Sequence, residues 1–169
     1  MAWTTPGTAT AGEVLTASFW NEQVRDNFNM FSSFFSGWTS YTPTLAQGAS
    51  TNISKTVNKC SYLKIGCLLY LNMYLDVTGA GSAGSDITVS VPSGITMSPT
   101  NQFYLTGQGL YFDASTGTRY PGSPFQNTST TLSIRRTDIG TANGIGGDPN
   151  IATANGDGWF LSCIVEVAQ

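Results

Sequence analysis

One stretch near the start constrains the chain more than any other: Thr16-Ala17-Ser18-Phe19-Trp20-Asn21-Glu22-Gln23-Val24-Arg25-Asp26-Asn27-Phe28-Asn29-Met30-Phe31-Ser32-Ser33-Phe34-Phe35. Within it Asn21, Val24, Phe28, Phe31 and Phe35 are spaced alternately three and four apart, the a/d pattern of a helix that seats against partner helices. At 1.5 Å per residue such a helix is ~30 Å long. A stripe this rich in phenylalanine must be buried, either against its own domain or against copies of itself. Two to three heptads with bulky Phe knobs make a weak coiled coil, so association needs help from the domain that follows. In the oligomeric reading Asn21 is a buried polar seam residue that fixes register. Trp20 and Phe34 lie off the seam and form a second apolar face for another protein. Thr16 or Ser18 supplies the N-cap and Gly37 the C-cap.

Before the helix, residues 1–12 lack periodicity and carry Pro6, Gly7 and Gly12, the composition of a flexible arm. Trp3 in that arm either folds back on its own domain or anchors in a partner's pocket. After Gly37 the period becomes two. Trp38 to Leu45 reads as an extended edge segment, because Pro43 cannot donate to a central ladder. Ile53 to Val57 is a weak strand. Lys59–Ile65 and Cys67–Val77 read as a hairpin turning at Ile65-Gly66, with Leu69, Leu71, Met73, Leu75 and Val77 on one face. The opposite face, Leu68, Tyr70, Asn72, Tyr74 and Asp76, is too aromatic for free solvent and calls for a partner sheet or subunit. Further strands are expected over Asp86–Val91, Gln102–Asp113, Thr130–Arg136 and Trp159–Val167, with loops at 79–84, 113–117 and 140–158. Eight or so short strands with Gly-rich turns indicate an antiparallel β-sandwich of jelly-roll type. The expected organisation is an anchoring arm and helix over 1–37 and a β-sandwich over 38–169.

Charged residues are only 10% of the chain, far below the ~25% of ordinary soluble domains, so the polar surface is made mainly of Ser, Thr, Gly and Asn. That suits a rigid extracellular or particle-bound β protein better than a cytosolic enzyme. The seven basic residues are scattered; Arg135-Arg136 is the one adjacent pair and a strand would point them to opposite faces. This argues against nucleic acid, which needs a clustered basic face. The chain has no histidine, which removes the commonest general base and metal ligand. Three cysteines without a CxxC offer neither a zinc site nor a disulfide framework. A turn at Ile65-Gly66 puts Cys60 opposite residue 71, so a Cys60–Cys67 bridge is not expected, and Cys163 reads as a core thiol. No signal peptide or membrane span is expected, and synthesis is expected in a reducing cytoplasm.

No catalytic set is legible. The ten carboxylates hold no pair in a pattern for glycoside hydrolysis, there is no G-x-S-x-G, and Gly107-Gln108-Gly109 is not followed by a helix. Asp138, Asp148 and Asp157 with Asn143, Asn150 and Asn155 could line a calcium loop, but Asp and Asn are also simple turn formers. Tyr104, Tyr111, Tyr120 and Phe125 could form a sugar-stacking surface, or core. Neither an enzyme nor a cofactor is expected.

Thr10-Ala11-Gly12-Glu13-Val14-Leu15-Thr16-Ala17, followed by Asn21 and Gln23-Val24-Arg25-Asp26-Asn27, resembles the N-terminal motif of small virion proteins of tailed phages, especially those of actinobacteria. Trp38 to Leu45, Tyr62 to Gly66, and Phe112 to Gly117 with Tyr120-Pro121-Gly122 are similar to the β-domain of those proteins. One departure is that Ser18-Phe19-Trp20 stands where the family often has an acidic residue and a Leu, so the capping box lacks its carboxylate at Phe19. The resemblance implies a homotrimer on the virion surface. Trp3, Val14, Leu15 and Trp20 would anchor it to other virion proteins, capsid or tail, with the β-domain outward. Family members are known variously as minor tail, fibre, receptor-binding or capsid decoration proteins. The short link between helix and β-domain favours decoration or a minor structural role. The alternative is a fibre that adheres to host-surface glycan, with Tyr120 and Trp159 as contacts.

Overall fold

The computed structural model describes residues 16–33, 37–99, 105–137 and 144–168. The chain divides into two compact units, Met1–Gly37 and Trp38–Gln169. Trp3, Val14, Leu15, Phe34 and Phe35 lie outside the described residues.

In the first unit the expected single α-helix is interrupted. It comprises α1 (Ala17–Trp20), a π-helical segment (Asn21–Asp26) and α2 (Asn27–Ser33). Thr16 is the N-cap, its hydroxyl accepting from the Phe19 N–H at 3.2 Å. Half of a capping box therefore forms without a carboxylate at the third position. With i→i+5 bonds a turn takes roughly four to five residues instead of 3.6, so the heptad spacing, which assumes an unbroken α-helix, does not carry across this segment.

The second unit is mainly β, and all pairing between its strands is antiparallel within one nine-stranded sheet. The strands are β1 (Thr39–Ser40), β2 (Leu45–Gln47), β3 (Lys55–Ile65), β4 (Leu68–Val77), β5 (Ile87–Ser90), β6 (Thr106–Asp113), β7 (Thr118–Thr128), β8 (Thr131–Arg136) and β9 (Gly158–Glu166). Their order is β1-β3-β4-β9-β6-β7-β8-β5-β2. The sheet curls until one run of chain serves both edges: Thr39 and Ser40 pair with β3, and Leu45 to Gln47 pair with β5. Between them the Tyr41 N–H donates to the Cys60 carbonyl at 3.1 Å, and the Thr44 N–H donates to Ser90 Oγ at 2.8 Å. Pro43, buried and without an N–H, occupies the crossing point, where no ladder needs a donor.

The β3–β4 hairpin turns at Gly66-Cys67, one residue later than the spacing suggests. Gly66 has φ 61° at the first turn position, which the primed two-residue turns reserve for glycine. Cys60 accordingly faces Met73, and a bulge at Asn58 joins the two expected strands into one. All three cysteines are free. Alternation then builds the core: Leu69, Leu71, Met73, Leu75 and Val77 of β4 face Trp159, Leu161, Cys163 and Val165 of β9, all buried.

Strand β7 is the element that the sequence conceals, because it contains Pro121, Gly122 and Pro124 yet lies between two neighbours. Its pairing with β6 stops at Gly122, and its pairing with β8 starts at Gly122. Pro121 is therefore paired only with Leu110, and Pro124 only with Ile134. Each proline sits at a local edge, the position that tolerates a missing N–H. Gly122 is the handover point: a Cβ there would lie 2.2 Å from the Arg135 carbonyl oxygen and 2.7 Å from Ile134.

Candidate functional site

Two surfaces in the described residues are unusual, one on each unit. On the first unit Trp20, Val24, Phe28 and Phe31 are 53%, 40%, 71% and 53% exposed. Four large apolar side chains along about three turns is more than an isolated short helix keeps in water. Asn21 is also exposed.

On the second unit the unusual surface is the outer face of β4, β9 and β6. Inward residues of these strands fill the core, so the intervening residues point out. In register across the strands, Tyr74, Phe160, Leu110 and Pro121 form one outer row, and Asn72, Ser162 and Gln108 form the next. Tyr74 and Phe160 are stacked with centroids 4.4 Å apart and planes 18° from parallel. Hydrogen bonding to Asp76 and its negative charge raise the Tyr74 phenol pKa, and Asp76 also accepts from Asn58 Nδ2 at 2.7 Å. A third outer row carries Tyr70, Ile164 and Thr106. The middle row thus forms the floor of a trough with an apolar wall on either side. One hollow, about 460 Å³, lies towards the Tyr74–Phe160 wall; the other, about 530 Å³, lies towards Tyr70 and Ile164 and is bounded by Trp38, itself 51% exposed. Asn72, Ser162 and Gln108 line both hollows, and no charged side chain lines either.

The glycan contacts expected from sequence do not survive as surface groups. Trp159 is fully buried, edge-on to Tyr111 at 6.3 Å, and offers no face to a sugar. Tyr120 is half-buried beside Tyr111 on the inner side, with the Arg136 guanidinium 5.7 Å from its ring centroid. Tyr111 is core, and Phe125 lies 3.0 Å beneath the Arg135 guanidinium. The two arginines thus occupy opposite faces of β8. Tyr104 lies outside the described residues. The sequence does signal the trough: Tyr70, Asn72 and Tyr74 alternate with a core face, and Phe160, Ser162 and Ile164 do the same on β9. What it does not show is that these two strands are neighbours in register.

Of the calcium-loop candidates, Asp138 and Asn143 lie outside the described residues. Asp157 is buried and saturated. It accepts from Tyr111 Oη at 2.5 Å, from the Ala154 N–H at 2.7 Å and from the Ala114 N–H at 2.9 Å. Asp113 is likewise engaged, by the hydroxyls and N–H groups of Ser115 and Thr116. Among the described residues no group of three or more His, Cys, Asp or Glu side chains could hold a metal ion, and no helix is long and apolar enough to cross a membrane. Comparison with protein-family models, with curated proteins and with solved structures finds no match.

Proposed function

We propose that the chain is a non-enzymatic structural protein of a phage virion. It would form a homotrimer on the particle surface, in a capsid-decoration or minor structural role, made in the host cytoplasm and held on by its N-terminal segment. In this reading Asn21, Val24, Phe28 and Phe31, with Phe35, form the contact between copies. Trp20, with Trp3, Val14 and Leu15, reaches other virion proteins. The β unit, its two inner faces packed as a jelly-roll-like sandwich, is displayed outward. The observation that carries the reading is the exposed stripe of Trp20, Val24, Phe28 and Phe31, which requires a partner, on a helix whose sequence resembles the virion motif. The free thiols fit a reducing cytoplasm.

A density map of purified particles tests this proposal. The β unit is expected as threefold clusters on head or tail, and particles that lack the protein altogether would refute it. A second reading, adhesion to host-surface glycan, is favoured by the uncharged trough on β4, β9 and β6.

A further inference from the structure

We infer that the trough across β4, β9 and β6 binds a segment of neutral polysaccharide, laid across the strands over Asn72, Ser162 and Gln108. The inference rests on the adhesive reading above and gives it a site and a ligand class, in place of Tyr120 and Trp159.

The side chains of Asn72, Ser162 and Gln108 have no hydrogen-bond partner among the described residues, although they stand together in register on adjacent strands. Together they present two amides and a hydroxyl, each able to donate and accept. Successive floor residues are one strand spacing apart, about 4.8 Å, close to the length of one pyranose ring. The walls are of the opposite character. Trp38 and Tyr70 stand on one side and the stacked Tyr74–Phe160 pair on the other. Aromatic faces match the C–H faces of a sugar ring, while the floor matches its hydroxyls.

The same features discriminate against other occupants. A flat apolar face of a second copy would take three polar side chains out of water, each costing about 1–3 kcal/mol when buried without a partner. A polyol brings donors and acceptors to all three. An acidic glycan or a nucleic acid would find no cation in the lining. Size is adequate: the two hollows, about 530 and 460 Å³ and sharing one floor, fall in the range of small-molecule sites.

The test is affinity electrophoresis of the full chain through gels containing a soluble β-glucan, a mannan, a galactan or the acidic polymer polygalacturonate. It is repeated for Trp38→Ala, Gln108→Ala and the double variant, each checked for an unchanged urea midpoint. Retardation is expected in at least one neutral polysaccharide and not in polygalacturonate. Each single variant should weaken it about three- to tenfold, and the double variant should abolish it. Retardation that is undiminished in the double variant would overturn the site and leave the adhesive reading standing. No retardation in any gel would overturn both. Retardation by polygalacturonate alone would overturn the neutral class. If Gln108→Arg instead turns an oligomer into monomers on sedimentation, the face is a subunit contact and the inference fails.

Discussion

Replacing Asp157 by alanine probes the one buried carboxylate on which three separate parts of the β unit converge. The residue is 1% exposed. It ties Tyr111 of β6, the Ala114 N–H of the β6–β7 turn and the Ala154 N–H of the segment leading into β9. Hydrogen bonds to a charged group contribute about 1.5–3 kcal/mol each, so three of them set a gross loss of roughly 4.5–9 kcal/mol. Removing the carboxylate also removes its own desolvation cost, and water can reach part of the gap. The expected net loss is therefore about 3–5 kcal/mol, a large share of the ~5–15 kcal/mol typical of a domain. The assay is urea unfolding followed by tryptophan fluorescence, since Trp159 packs on Tyr111. The midpoint should fall with the m-value unchanged. Tyr111→Phe alone should cost about 1.5–3 kcal/mol, and the double variant should cost less than the sum because the shared bond is counted once. A loss below ~1 kcal/mol for Asp157→Ala, or strict additivity of the pair, would refute this network as a stability determinant.

Asp113 provides a pH signature. Burial alone would raise its carboxyl pKa, but hydrogen bonds from Ser115 and Thr116 outweigh burial and hold it below the ordinary 3.8. The group's contribution is thus fully present above the unfolded value and is lost as pH falls through the folded one. Urea midpoints should drop as pH falls below about 4, and Asp113→Asn should flatten that drop; an equal drop in the variant would contradict the assignment. Thiol reactivity provides another check. Burial pushes Cys163 up to about 12 and Cys60 up to about 11, and the thiolate is the reactive form. A disulfide-exchange reagent at neutral pH should therefore titrate one thiol, half-buried Cys67, in the native chain and all three in denaturant; more than one fast native thiol would argue against the burial of Cys60 or Cys163.

The period-two pattern made much of the β unit legible. The inward faces of β4, β5, β8 and β9 follow from alternation alone, because each strand has apolar residues at every second position. Strand β7 was not legible, because Pro121 and Pro124 argue against a central strand unless one knows that its neighbours relay at Gly122. Pairing order is non-local, so the adjacency of β4 and β9 did not follow from spacing. Trp159 stands on the alternating inward face of β9 and is fully buried, so it cannot serve as a surface contact. On the helix, periodicity picked out Val24, Phe28 and Phe31, all exposed, but it carries no information about the π turn that interrupts the helix.

The account rests on the exposed helical stripe having copies of itself as partners. Phe28, 71% exposed, would bury about 140 Å² of apolar surface on association, worth about 3 kcal/mol per copy. Sedimentation equilibrium of the intact chain and of Phe28→Asp is the most direct measurement. The account predicts a mass near three times 17.9 kDa for the intact chain and a monomer for the variant. An intact chain that stays monomeric at high concentration, or a variant that associates equally well, would contradict it.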